Sequence, residues 1–261
     1  MALTYSDYLK LDGLLALQQP RSQPPEHDEQ LFIVIHQVYE LWFKLLLHEF
    51  EKIKRDFSRN DLYGAIATFQ RCRTVMKTLV GQLDILETMT PMSFASFRPR
   101  RETASGFQSV QFRELEFSLG YKRPETLGFY HHVPGAQRTL ERRLEERSVC
   151  DHFYDLLEQR GAAIPPEVRP AAASAGAVED ARVQAELLRL YREAPDLRIL
   201  FELMTDFDEG MQEWRYRHVK VVERTIGAKK QGTGGSPGVE FLKATLFHPL
   251  FPDLWAIRHE L

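Results

Sequence analysis

DLRILFELMTDFDEGMQEWRYRHVKVVERTIG, residues 196–227, is the stretch whose reading decides the fold. Taken as one helix from Asp196 to Gly227, it carries an apolar stripe of Leu200, Met204, Phe207, Met211, Trp214, His218, Val221 and Thr225. The steps alternate four and three residues, the period of a core-facing helical face. His218 takes a slot that packing alone would give to leucine. A buried imidazole must hydrogen-bond or bind something. GTGGSPG, residues 232–238, follows closely and allows backbone to approach a ligand. Within it, Ser236 and Pro237 read as an N-cap and the first helical position, whose free N–H groups suit an anion. No Gly-Lys-Ser/Thr follows, so this is not a phosphate P-loop, and a carboxylate or propionate is the better-sized guest.

Outward from this helix, helical periodicity dominates and no run alternates as a strand does. Tyr8 to Leu17 reads as a short helix, Glu29 to Arg55 as a long one, apolar nearly all round, and Asp61 to Thr88 as another. Pro91 to Gly106 reads as irregular, Phe107 to Leu119 as helix, and Gln137 to Gly161 as one amphipathic stretch. The Ala/Pro-rich run from Gly161, within residues 161–180, reads as a flexible loop. The chain of 261 residues forms one domain, 1–261, by length.

Lys and Arg number 34 against 37 Asp and Glu, which argues against nucleic-acid or membrane-surface binding through bulk charge. No uninterrupted apolar run approaches the roughly 18 residues of a membrane span. The N-terminus lacks the basic and apolar regions of a signal peptide, so a cytoplasmic protein is expected. Cys72 and Cys150 form neither a CxxC nor a CxxCH motif, so any haem would be held non-covalently.

Three further groups of residues carry chemistry. On the second long helix Phe32, His36, Tyr39 and Phe43 share a face at steps of four, three and four, so that Phe32 and His36 can touch one ligand. A second packing face with a satisfied core histidine explains the same pattern. Arg215 and Arg217 flank His218 and suit haem propionates, or are surface arginines. Arg98, after Phe94, is placed to clamp a carboxylate bidentately, or is a solvated loop arginine. No GxSxG, HExxH or GxGxxG motif supports another enzyme class.

Taken together, the chain resembles the tryptophan 2,3-dioxygenase family of haem-dependent, indole-cleaving enzymes. The matching stretches are LTYSDYL (3–9), DEQLFIVIHQ (28–37), ELW (40–42), LETMTP (86–91), SGFQS (105–109), WRYRH (214–218) and GTGGS (232–236), spread along the chain in the family's order. The resemblance implies an all-α helical bundle enclosing a b-type haem. It also implies insertion of O₂ across the indole C2–C3 bond of L-tryptophan to give N-formylkynurenine in the kynurenine pathway of tryptophan catabolism. His218 would be the proximal ligand of the haem iron, ferrous in the active state. His36 would be the distal histidine that accepts the indole N–H, orienting the substrate rather than serving as an obligatory base. Arg98 would clamp the carboxylate, and Thr233 would hold the ammonium and carboxylate from the glycine loop. Phe32 and Phe94 would wall the indole pocket, with Ser105 as a distal polar group. Residues 1–20 would reach into a neighbouring subunit of a homotetramer, where Tyr5, Tyr8 and Leu9 complete the site in trans.

The stretch RPRRET, residues 98–103, departs from the apolar, Gly-containing turn more usual in the family. The same site residues would serve a biosynthetic relative that inserts one oxygen into a modified, for example methylated, tryptophan to give a 2-oxindole. A haem sensor or carrier is the alternative of a different class, and it leaves Arg98 and Thr233 without a purpose.

Overall fold

A computed structural model describes residues 2–102, 104–131, 133–169, 178–228 and 238–261. Short helices α1 (Tyr5–Leu9) and α2 (Leu11–Leu15) lead into the long α3 (His27–Ser58) and α4 (Leu62–Leu86). Then come α5 (Pro91–Phe97), α6 (Val110–Leu119), α7 (Pro134–Glu145) and α8 (Val149–Gln159). The chain closes with α9 (Ala181–Glu193), α10 (Pro195–Ile226), α11 (Val239–Lys243) and α12 (Pro252–Ala256). No strand occurs among the described residues, as the all-α reading expects.

The core grows from α4, which packs against both α3 and α10. Leu62, Phe69, Met76, Leu79 and Leu83 recur at helical spacing on α4 and are buried. Phe50 and Phe57 of α3 and Phe207 of α10 are fully enclosed around them. Each such ring contributes roughly 1.5–3 kcal/mol by leaving water. Gly210 of α10 lets Met76 of α4 pack close: a Cβ there would lie 2.9 Å from Met76 Cγ. By length and composition α3 alone among the described helices could cross a bilayer. Its Glu49, Lys54 and Asp56 are nevertheless buried, and it packs against α4, α6 and α8.

The helix read over Tyr8 to Leu17 is instead α1 and α2, parted at Lys10, whose φ is 55°. Two further boundaries differ from the sequence reading, and capping explains both. Of Pro91 to Gly106, read as irregular, the first part is helical as α5: Thr90 Oγ1 accepts the Ser93 N–H at 3.1 Å, and Pro91 fills the first turn, where its missing N–H costs nothing. A 3-10 turn over Arg98–Arg101 continues α5. The stretch from Gln137 to Gly161 is two helices. Ser148 and Asp151 form a reciprocal cap, Ser148 Oγ accepting from Asp151 N at 3.1 Å and the Asp151 carboxylate from Ser148 N at 2.7 Å. Of the expected loop over 161–180, Pro166–Val168 is a short 3-10 turn, and residues 170–177 lie outside the described residues.

Candidate functional site

A cavity of about 230 Å³ opens between α3, α5, α6, α10 and α11. His36 and His218 both line it, with Phe32, Phe94, Ser105, Phe112, Trp214 and Phe241. The two long helices therefore deliver their histidines to one space.

His36 is fixed by its own helix. Its Nδ1 lies 2.7 Å from the Phe32 carbonyl, one turn back. A carbonyl only accepts, so Nδ1 carries the proton and Nε2 of the neutral ring is left with a lone pair. The Phe32 ring lies tilted against the imidazole, centroids 3.9 Å apart. Burial lowers the His36 pKa to about 4; the Phe32 hydrogen bond opposes this and Arg101 adds to it. His218 lies against Trp214 at 5.0 Å between centroids. Burial, then the nearby His36, lowers its pKa to about 4. Both rings keep some accessible surface because their open sides face the cavity. Both are neutral near pH 7, the form that ligates a metal or accepts a hydrogen bond.

The far wall is ionic. Glu116, 1% exposed, pairs with Arg113, with Arg123 at 2.9 Å and with Arg215 at 3.1 Å. Burial alone would raise its pKa, but Arg113, Arg215 and Arg123 hold it below the ordinary carboxyl range. Three guanidiniums around one carboxylate leave two positive charges uncompensated at this wall. The Nε atoms of all three arginines are buried without a partner among the described residues. Arg215 is further tied to the carbonyls of His248 at 3.0 Å and Thr245 at 3.3 Å, which holds the cluster in place.

These features fit a haem. His218 makes no hydrogen bond among the described residues, so a ring nitrogen is available to iron. Among the described residues no group of three or more His, Cys, Asp or Glu side chains converges to hold a bare ion, whereas a single imidazole suits the iron of a macrocycle. Two surplus charges and buried unpaired N–H groups match two propionates.

The structure brings together Phe32, His36, Phe94, Ser105 and His218 at one cavity. Phe94 is buried, 5.8 Å from Phe32 between ring centroids. Ser105 accepts the Phe107 N–H at 3.4 Å, which leaves its own proton free to donate. Arg98 is half-buried at the head of its 3-10 turn and is not among the residues lining the cavity, whereas Arg101, three positions on, is. Arg217 is not a cavity cation: it pairs with Asp84 at 2.6 Å and Glu87 at 3.2 Å on the outer side of α10. The propionate reading therefore keeps Arg215 and loses Arg217. Tyr5, Tyr8 and Leu9 are exposed and lie away from this chain's own cavity. Thr233 and the Ser236–Pro237 cap lie outside the described residues.

Sequence reasoning missed Arg101, Arg113, Glu116 and Arg123. The signal was present in α6, where Arg113, Glu114 and Glu116 are interleaved with Phe112, Leu115, Phe117 and Leu119. A helix apolar all round must bury its charges, and buried charges must pair.

The family model described as tryptophan 2,3-dioxygenase matches residues 1–169 and 173–261. The tryptophan 2,3-dioxygenase of Herpetosiphon aurantiacus is 53% identical, over 100% of this chain and 99% of its own length. That of Anaeromyxobacter sp. (strain K) is 48% identical, over 100% and 97%, and that of Myxococcus xanthus 42%, over 99% and 89%. With its two histidines meeting at one cavity and its relatives aligned end to end, the chain belongs to the tryptophan 2,3-dioxygenase family.

Proposed function

We propose that this chain is a haem-dependent dioxygenase that converts L-tryptophan and O₂ to N-formylkynurenine, with His218 as proximal ligand and His36 facing the substrate. The observation that carries the reading is the pair of neutral imidazoles on one cavity beside a wall of surplus arginine charge. Haem b, when bound, supplies the iron that activates O₂.

The protein's own part is binding, orientation and exclusion of water. His218 would hold the iron from α10 as a neutral imidazole. Arg113, Arg123 and Arg215 would hold the propionates, and Glu116 keeps the three cations from repelling one another. On the opposite side the free Nε2 of His36 accepts the indole N–H, which fixes which edge of the ring is presented. Its low pKa keeps it an acceptor under neutral conditions. Phe32 and Phe94 flank the indole and keep the pocket dry. Ser105 offers a hydroxyl on that side. Arg98 and Thr233 hold the charged ends of the amino acid, which selects a free amino acid over a plain indole.

The assembly is a homotetramer in which residues 1–20 complete a neighbour's site through Tyr5, Tyr8 and Leu9. In support, α1 and α2 bury no residue, and Leu3, Tyr5, Tyr8 and Leu15 are each at least 70% exposed. Apolar side chains so uncovered need a partner surface.

The test is turnover of reduced, haem-loaded protein with L-tryptophan and O₂, followed by mass spectrometry. N-formylkynurenine, two oxygens heavier than the substrate, is expected. A product heavier by one oxygen would replace this reading with the 2-oxindole reaction.

A further inference from the structure

The turn RPRRE, residues 98–102, carries three arginines and holds an unusual cation in space. The Arg101 guanidinium lies over the Phe32 ring, 4.3 Å from its centroid, and 5.5 Å from that of Phe94. Those rings are the two proposed indole walls. Arg101 Nη2 donates to the Ala104 carbonyl at 2.7 Å, which holds the side chain across the turn. Among the described residues no carboxylate pairs with it, and burial, then the neighbouring Arg98, lowers its pKa to about 10. Glu102, next in line, has φ +50° and ψ −116°, outside the favoured regions for a non-glycine residue, so its surroundings impose the turn.

Arg101 also borders a second cavity of about 660 Å³, lined among others by Arg21, Glu29, Arg100 and Glu102. Phe32 and Arg101 line both spaces. A partly desolvated guanidinium stacked on an aromatic ring and lacking a counter-charge is an anion site. Its position over the rings of Phe32 and Phe94, without an ion pair to Glu116 among the described residues, selects the anion.

We infer that Arg101 is a specificity-determining cation that receives the α-carboxylate of the amino acid above the Phe32 ring and favours carboxylate-bearing indoles over neutral ones. The inference rests on the proposed reaction for its substrate class. It adds a carboxylate contact beside the one expected from Arg98.

The test compares Arg101→Gln and Arg101→Lys with the native holoenzyme. Equilibrium dialysis reads binding of L-tryptophan and of L-tryptophanamide, and steady-state kinetics reads kcat and KM. Loss of a charged hydrogen bond predicts Kd and KM for L-tryptophan about 10- to 100-fold higher in the glutamine variant. Binding of the amide and kcat should change by less than about 3-fold, and lysine should recover part of the loss. Equal weakening of acid and amide would overturn the inference. So would unchanged tryptophan binding with loss of haem, which would give the charge to a propionate. The binding arm does not depend on turnover, so a native protein that binds tryptophan yet forms no N-formylkynurenine overturns the proposed reaction alone.

Discussion

Replacing Glu116 with glutamine removes the one negative charge that three buried arginines share. The side chains of Glu116, Arg113, Arg123 and Arg215 are 1%, 5%, 10% and 3% exposed, so water screens little of the remaining repulsion. Removing one partner of a buried ionic group costs about 3–5 kcal/mol. At roughly 2.1 cal/mol/K per residue, a chain of this length unfolds with an entropy near 0.5 kcal/mol/K, which places the loss at about 6–10 °C in Tm. The Glu116 pKa is held low, so its contribution is whole above about pH 4.5 and fades as pH falls through the folded-state value; calorimetry at pH 7 reads all of it. Two propionates would supply the missing negative charge. The haem-loaded variant should therefore lose clearly less Tm, relative to loaded native protein, than the haem-free variant loses. A haem-free loss below about 1 kcal/mol would refute the electrostatic account of the cluster. Equal losses in both forms would refute its role toward the propionates.

His218→Ala should abolish stable haem binding; an unchanged Soret band after gel filtration would remove His218 from the iron. His36→Ala should retain haem and some turnover, with kcat/KM lowered about 10- to 100-fold through lost orientation, and complete inactivity with tryptophan still bound would make His36 an obligatory base. In haem-free protein both rings have pKa values near 4, below the ordinary 6.5. The unfolded chain therefore binds protons in that window that the folded chain refuses, and stability falls as pH drops from 6.5 toward 4. Allowing for their partial exposure to the cavity, each ring should cost about 1–2 kcal/mol by pH 5, and a haem-free Tm that His36→Gln fails to protect over this range would contradict the enclosure of His36. Removal of residues 1–20 should shift the assembly to smaller species in sedimentation and depress turnover, while retention of both tetramer and full activity would end the in-trans role.

The long helices were legible because their apolar residues repeat at 3.6-residue spacing over many turns, and Leu200 through Val221 of α10 face inward as that period requires, except where His218 meets the cavity. What escaped was local. The hydrogen bonds of Thr90 and Ser148 decide where α5 begins and where α7 gives way to α8, and such caps depend on a few backbone angles rather than on a period. Within the site, His36 and His218 stood out as polar breaks in apolar faces. Arg98 was singled out by family likeness, which speaks to position along the chain, and Arg101 beside it carried no such signal. Which arginine of a tight 3-10 turn faces a cavity is a matter of the turn's geometry. The Glu116 cluster joins α6, the segment carrying Arg123, and α10, and pairings across such distances leave no spacing to read.

The central claim is that α3 and α10 set His36 and His218 on opposite sides of one cofactor. A crystal structure of the haem-loaded protein with L-tryptophan tests it most directly. The account predicts iron bound by the His218 imidazole alone among the protein's side chains, with the indole N–H donating to His36 Nε2. Iron bound by both imidazoles, or tryptophan seated away from His36, would contradict it.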